Sequence, residues 1–171
     1  EDVPGAWTTS HVVDRRANTA TGFPVCPRGR TLRHEVTLDL DLWKHTLGRG
    51  TLMLSMHIPA GGAMPLGQCV ESARQAFAFF ETIFPSRPVV GIDCISWIFG
   101  PQLEDMLEPD ANLVRLMRAG YLYPVPCDRN GGLGFIFYRN DGDLKSYPRD
   151  TDFQRTVLDW VREGKPWRIG G

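Results

Sequence analysis

The segment between residues 57 and 65 constrains the fold more than any other feature, because it joins an apolar strand to an amphipathic helix through paired glycines. It reads His57-Ile58-Pro59-Ala60-Gly61-Gly62-Ala63-Met64-Pro65. A glycine turn at a helix N-terminus leaves backbone N–H groups without partners, and the helix dipole adds partial positive charge there. The segment therefore has two interpretations: a seat for a phosphate or carboxylate, or a simple reversal of chain direction.

Hydrophobic periodicity predicts an element on each side of this turn. Both faces of residues 52–58 are largely apolar, which is typical of a central strand. After Pro65, apolar residues recur at steps of 4, 3, 4, 3 and 4, the period of one helix face: Leu66, Val70, Ala73, Phe77, Phe80 and Phe84. Residues 89–95 predict a second strand with two apolar faces. The turn and its helix therefore lie between two predicted central strands.

The rest of the chain predicts further strands before the turn, and helices and a hairpin after it. Residues 32–40 alternate between apolar and polar, which indicates a half-buried antiparallel strand. Thr151 and Gln154 form a possible capping box, which predicts a final helix ending at Gly164. The other predicted elements are strands at 7–13 and 20–26, helical turns at 102–107 and 112–118, and an antiparallel hairpin of strands 121–126 and 133–139.

Charge and cysteine content exclude several classes of function. The 171 residues carry a formal net charge of −1, so no basic surface is expected to attract nucleic acid or an anionic membrane. The cysteines are widely spaced and form no Cys-x-x-Cys pair, so neither a zinc site nor a disulfide framework is expected. No apolar run approaches the roughly 20 residues of a membrane span. We expect a cytoplasmic protein with reduced thiols and no metal.

The order of strands, glycine turn, helix, strand, helix and hairpin resembles the GNAT acyltransferase fold. The closer resemblance is to the GNAT-like C-terminal domain of bacterial two-domain acyltransferases, on these segments: His57-Ile58-Pro59-Ala60-Gly61-Gly62, Ser96-Trp97, Pro101-Gln102-Leu103, Asn112-Leu113-Val114-Arg115 and Pro148-Arg149-Asp150-Thr151. It implies an α/β (α+β) fold with a mixed, mostly antiparallel central sheet flanked by helices. Residues 1–171 are then one GNAT-like domain, the C-terminal part of a longer protein, with the preceding N-terminal domain as its partner.

In the GNAT fold, acyl-coenzyme A (acyl-CoA) lies between two diverging central strands, and its pyrophosphate rests on the turn after the first. The resemblance implies acetyl-CoA or another acyl-CoA as co-substrate. Of the signature Gln/Arg-x-x-Gly-x-Gly/Ala, this chain matches only Gly61 and Ala63; Ile58 replaces the polar first residue, and Pro59 lacks an N–H. The predicted CoA-binding residues are Ile58, Ala60, Gly61, Gly62, Ala63, Trp97 and Arg149.

His57 is the predicted catalytic base, because imidazole titrates near neutrality and this residue ends a central strand beside the turn. The alternative is a structural histidine bonded to a backbone carbonyl. Asp93 needs a partner within its apolar strand, either a local backbone group or Arg115. Cys94 is interpreted as a packing residue, with a nucleophile as the alternative.

Two predicted binding residues also have structural interpretations. Trp97 follows the second strand and either walls a pocket for an acyl chain or adenine, or belongs to the core. Arg149 either meets a coenzyme phosphate or forms a salt bridge. GNAT enzymes commonly carry an acidic tyrosine on the helix after the second strand, and residues 112–120 lack one, although Tyr121 and Tyr123 follow directly.

These observations favour acyl transfer from CoA to a small amine or hydroxyl acceptor, with His57 as base and no acid assigned. The alternative is a non-catalytic module with a degenerate GNAT fold, which binds a ligand or a neighbouring domain without reacting. The retained glycines and His57 favour the enzyme, whereas the missing signature residue and the missing tyrosine favour the module.

Overall fold

The computed structural model describes residues 14–16, 18–59, 62–126, 131–139 and 141–171. Within them the fold is mixed α/β, as predicted. An antiparallel sheet is followed by a parallel strand pair and by helices that carry most of the core. The strands are β1 (Asp14–Arg16), β2 (Thr19–Gly22), β3 (Val36–Asp39), β4 (Leu54–Ser55) and β5 (Ile92–Asp93). The helices are α1 (Leu66–Ile83), α2 (Leu103–Met106), α3 (Asn112–Ala119), α4 (Leu133–Phe137) and α5 (Asp152–Arg162).

The antiparallel sheet has the order β1-β2-β3. The predicted alternation is confirmed in β3, where Val36 and Leu38 are half-buried and Thr37 is exposed. Leu38 lies opposite Ala20, the one buried apolar residue of this sheet's described part. Strand β2 is shorter than the predicted strand at 20–26, and β1 forms where no strand was predicted. The predicted strand at residues 7–13 lies outside the described residues.

The core of the described chain lies in its C-terminal half. Apart from Ala20, every buried apolar side chain falls between Ile98 and Trp167. Helices α2, α4 and α5 meet in the larger cluster, which contains Leu103, Leu133, Ile136, Phe137, Tyr147, Val157, Leu158 and Trp167. A smaller cluster formed around α3 contains Ile98, Phe99, Leu116, Met117 and Leu122.

The final helix begins as its sequence predicts. The Thr151 hydroxyl accepts a hydrogen bond from the Gln154 N–H at 3.1 Å, and the Gln154 side chain accepts one from the Thr151 N–H at 3.2 Å. These bonds satisfy two backbone donors at the helix start. Gly164 ends the helix with a positive φ of 73°, a backbone conformation that glycine adopts with little steric strain. The capping-box prediction is therefore confirmed.

The predicted hairpin after α3 is wrong. Residues 133–137 form helix α4, and within 121–126 the structure has an isolated bridge at Leu122 instead of a strand. Leu133, Ile136 and Phe137 are buried at the i, i+3, i+4 spacing of a helix face. Helical backbone turns all three into the larger cluster, whereas a strand would point Ile136 and Phe137 to opposite faces.

Candidate active site at the strand fork

Strands β4 and β5 form a short parallel pair that opens at one end. Leu54 pairs with Ile92 and Ser55 with Asp93. Backbone bonds run from Val90 N–H to Leu52 O (3.2 Å), from Leu54 N–H to Gly91 O (3.0 Å) and from Met56 N–H to Asp93 O (2.8 Å). Among the described residues, the pairing between these two segments ends at Met56. We call the point between Met56 and Asp93 the strand fork.

Beyond the strand fork, each segment turns to a different neighbour. Ser96 exchanges two backbone hydrogen bonds with Gly170, at 2.9 and 3.1 Å, instead of pairing with the residues after Met56. Ile58 packs against the smaller core cluster. The expected divergence of the two strands is therefore present in the structure. The predicted central position is not, because each strand has one partner in the described sheet, and Leu52 and Met53 are exposed.

The turn after the strand fork leads into α1, whose predicted extent of residues 65–84 agrees with Leu66–Ile83. Gly62 and Ala63 are exposed, while Ala60 and Gly61 lie outside the described residues. Met64 has a positive φ of 49°, a conformation uncommon for a residue with a side chain. The Asn112 amide, at the start of α3, donates to Ala63 O at 2.8 Å. This bond attaches the turn to a second helix.

The N-terminus of α1 carries no neutralising group in the described structure. Its N-cap, Pro65, makes no side-chain hydrogen bond, and no acidic residue occupies the first turn. A Cβ added at Gly67 would meet no atom within 4 Å, so the space outside this turn is open. The positive end of the helix dipole is therefore not neutralised by a side chain of the first turn, and the outer side of this turn at Gly67 is open.

His57 lies one residue beyond the last backbone bond of the strand fork. Its side chain is exposed, and the described residues offer it no hydrogen-bond or ion-pair partner. In the described part of the structure, no backbone carbonyl holds the His57 side chain, as the structural alternative requires. The imidazole therefore has no described hydrogen bond that would occupy its ring nitrogens.

The partner of Asp93 is a residue that the sequence did not connect with it. Tyr123 donates its hydroxyl hydrogen to an Asp93 carboxylate oxygen, and the Tyr123 N–H donates to Gly171 O at 2.8 Å. Both expected partners, a local backbone group and Arg115, are therefore wrong. The cost of a carboxylate in an apolar strand was the signal available in the sequence, but it does not identify a partner thirty residues away.

Two pKa values at the strand fork are raised by their surroundings. Burial and the Asp93 carboxylate raise the pKa of Tyr123 to about 12, because both disfavour a second negative charge. Burial, with a smaller effect from Asp93, raises the pKa of the Cys94 thiol. Cys94 is therefore held as a neutral thiol, which supports its interpretation as a packing residue rather than a nucleophile.

The match to a known protein family decides the classification. The family model described as "GNAT-like C-terminal domain" matches residues 11–171. The chain belongs to this family. The predicted resemblance to the GNAT-like C-terminal domain is thereby confirmed. No protein with a curated description matches it in sequence.

Solved structures similar to this GNAT-like domain are acyltransferases. One, in complex with decanoyl-CoA and teicoplanin, has a TM-score of 0.63 and 23% identity, and the match covers 91% of this chain and 44% of that one. A complex with CoA and 10C-teicoplanin has a TM-score of 0.63 and 22% identity, with the same shares. A third acyltransferase structure, in complex with decanoyl-CoA, has a TM-score of 0.57 and 23% identity. That match covers 93% of this chain and 45% of the other. These likenesses show the fold, and this chain spans less than half of those chains.

Trp97 and Arg149 have structural partners in this GNAT-like domain. Trp97 is half-buried, touches both core clusters and lies with its ring centroid 5.5 Å from that of Phe153. An Arg149 nitrogen donates to both carboxylate oxygens of Asp159, at 2.9 and 3.1 Å. Both structural interpretations are therefore realised, and contact of either side chain with coenzyme stays a prediction.

The described residues contain no group of three or more His, Cys, Asp or Glu side chains able to hold a metal ion. Their helices include none long and apolar enough to span a membrane. The described cysteines, Cys26, Cys69 and Cys94, are free thiols.

Proposed function

We propose that this domain binds acyl-CoA at the strand fork and transfers the acyl group to a small amine or hydroxyl acceptor. One observation carries the proposal: the parallel pair ends at Met56 directly before a turn and an uncapped helix N-terminus. Solved proteins with this fold are acyltransferases in complex with CoA or acyl-CoA. The shared fold and the open helix start support acyl-CoA binding at the strand fork of this domain.

In this proposal the backbone of the turn and of the first turn of α1 holds the coenzyme pyrophosphate. Gly62, Ala63 and Gly67 contribute open space and backbone groups, and Ile58, Ala60 and Gly61 keep their predicted places in the turn. The Asn112 amide supports this arrangement because it fixes the carbonyl of Ala63. Pro59 cannot donate, so the helix start must provide the donors that the signature segment lacks.

His57 acts as the general base in this proposal. It removes a proton from the acceptor, whose nitrogen or oxygen then forms a bond to the thioester carbonyl carbon. The carbon–sulfur bond breaks, and the coenzyme thiolate leaves with the bonding electron pair. The exposed, unpartnered side chain next to the strand fork supports this role.

Tyr123 is not assigned as the acid that protonates the leaving thiolate. Its pKa of about 12 lies more than three units above the roughly 8.5 of an ordinary thiol, so the transfer would be uphill. Tyr123 instead positions β5, because its hydroxyl and N–H connect Asp93 with Gly171. In this proposal a solvent molecule protonates the leaving thiolate.

Calorimetric titration with acetyl-, butyryl- and palmitoyl-CoA tests the binding step. We expect measurable heat with at least one of them, and the absence of heat or thermal shift with all three contradicts the proposal. Ile58 and Pro59 favour the second candidate, a binding module without catalysis. Binding without turnover, across a set of small amines and alcohols, would identify that module.

A further inference from the structure

The C-terminal half of α1 presents a large apolar surface to solvent. Phe79, Phe80, Ile83 and Phe84 are 57%, 36%, 53% and 44% exposed, and we call these four residues the α1 face. The three phenylalanine rings pack on one another. The ring centroids are 5.4 Å apart for Phe79 and Phe80 and 5.8 Å apart for Phe80 and Phe84. No residue of α1 is buried in the described structure. Exposed apolar side chains grouped in this way mark an interaction surface.

The composition of this part of α1 is that of an interface. Between residues 75 and 84 the chain has one charged side chain, Glu81, and four aromatic or branched residues on the α1 face. Interface centres are depleted of charge and enriched in aromatic side chains. An ordinary solvated helix face instead carries charged residues at most positions.

Burial is unequal in the two halves of the described chain. The core comes almost entirely from residues 98–167, whereas α1, the longest helix, contributes no buried side chain. An amphipathic helix gains most of its stability from packing its apolar face against another element. Among the described residues α1 packs mainly against α3, and the α1 face remains exposed to solvent.

We propose that the α1 face is the docking surface for a further domain of the same polypeptide. The solved acyltransferases match 91% of this chain, but the match covers only 44% of their own length. More than half of such a chain is therefore available as the covering domain. Its contact surface must be apolar and poor in charge to match the α1 face. The proposal is independent of whether this domain transfers acyl groups.

Hydroxyl-radical footprinting of the complete gene product and of the 171-residue chain tests the docking. We expect oxidation of Phe79 and Phe84 to be at least fivefold lower in the complete product. Phe135, which is 76% exposed on α4, is the internal control and should react equally in both. Equal labelling of the α1 face in the two proteins overturns the proposal, as does a gene that encodes no further domain.

A pair of matched variants separates docking from folding. Phe79→Ser with Ile83→Ser should restore labelling of Phe84 in the complete product. The 171-residue chain should lose little stability, because both side chains are more than half exposed there. Phe135→Ser is the control and should leave Phe84 protected. If the 171-residue chain instead protects the α1 face by itself, in proportion to a dimer measured by sedimentation, a second copy is the occupant and the proposal is wrong.

Discussion

Tyr123 and Asp93 join two segments that are thirty residues apart, because the tyrosine hydroxyl donates to the carboxylate at the strand fork. The same tyrosine bonds through its backbone to Gly171. One residue therefore connects β5, the segment after α3 and the end of the chain. The orientation of Asp93, whose carbonyl also accepts the last backbone bond from Met56, depends on this connection.

Tyr123→Phe should remove a component of stability that depends on pH. The folded-state pKa of about 12 lies above the ordinary value of 10, so the stabilisation is complete below pH 10 and is lost as the pH rises toward 12. We expect the difference in unfolding free energy between wild type and variant to fall by about 1 kcal/mol over this interval. The pKa shift by itself corresponds to a larger free energy. Tyr123 is 38% exposed, however, so water screens its interaction with Asp93 and we discount the value.

Denaturant titrations at pH 9 and pH 11.5 measure this difference. Tyr138→Phe is the control, since that side chain is 78% exposed and its loss should change stability by less than about 0.5 kcal/mol at either pH. A difference between wild type and Tyr123→Phe that stays constant with pH would show that the hydroxyl–carboxylate bond does not form in solution.

Gly67→Asp should block coenzyme binding without unfolding the protein. The new carboxylate enters open space at the start of α1, where the helix dipole stabilises it by roughly 0.3–1 kcal/mol, and it repels a phosphate. Gly67→Ala is the matched control, because it fills the same space without charge. By calorimetry, we expect Gly67→Asp to raise the Kd for acyl-CoA tenfold or more, and Gly67→Ala to raise it less. Equal affinity in both variants would place the pyrophosphate elsewhere.

His57→Ala should abolish acyl transfer while leaving the fold intact. The side chain is exposed and has no described partner, so the unfolding free energy should change by less than about 0.5 kcal/mol. Removal of a general base typically lowers the rate by 10²- to 10⁴-fold. Release of free thiol measures turnover, and His34→Ala, also exposed, is the control. Retained turnover in His57→Ala would remove this residue from the mechanism.

Asn112→Ala should weaken coenzyme binding through the turn. The amide holds the Ala63 carbonyl at 2.8 Å, and without it the segment before α1 loses its described attachment to α3. A neutral hydrogen bond of this kind contributes about 1 kcal/mol. We expect about a fivefold rise in Kd for acyl-CoA, measured by calorimetry. Asn112→Asp keeps an oxygen but loses the donor, so it should bind no better than Asn112→Ala.

Thr151→Ala should cost the protein about 1 kcal/mol, because the capping bond to the Gln154 N–H is lost. Thr156→Ala removes a hydroxyl that bonds back to Asp152 O inside the same helix and should cost much less. Thermal or denaturant unfolding compares the two. Similar losses from both substitutions would mean that the cap does not limit the stability of α5.

Patterns confined to a few neighbouring residues could be predicted from the sequence. The apolar spacing located α1 to within a residue or two, and the capping box located the start of α5. Alternation along residues 32–40 identified β3, although not its length. These features depend on backbone bonds and side chains that lie within about one turn or one pleat of each other.

The site could be predicted only in part. The position of the turn and of His57 followed from the order of strand and helix, and the divergence of the strands followed from the resemblance. The partner of Asp93 did not, because many polar residues compete for such a carboxylate and only packing brings Tyr123 to it. The bond from Asn112 to Ala63 crosses 49 residues and gave no local signal.

The sequence alone determined where α1 and α5 form and which segments alternate, since each of these depends on nearest neighbours along the chain. Tertiary structure decided that residues 133–137 are helical, that Asp93 meets Tyr123, and that the α1 face stays uncovered. These outcomes depend on which distant surfaces bury one another, and a short apolar run is compatible with either strand or helix until that burial is known.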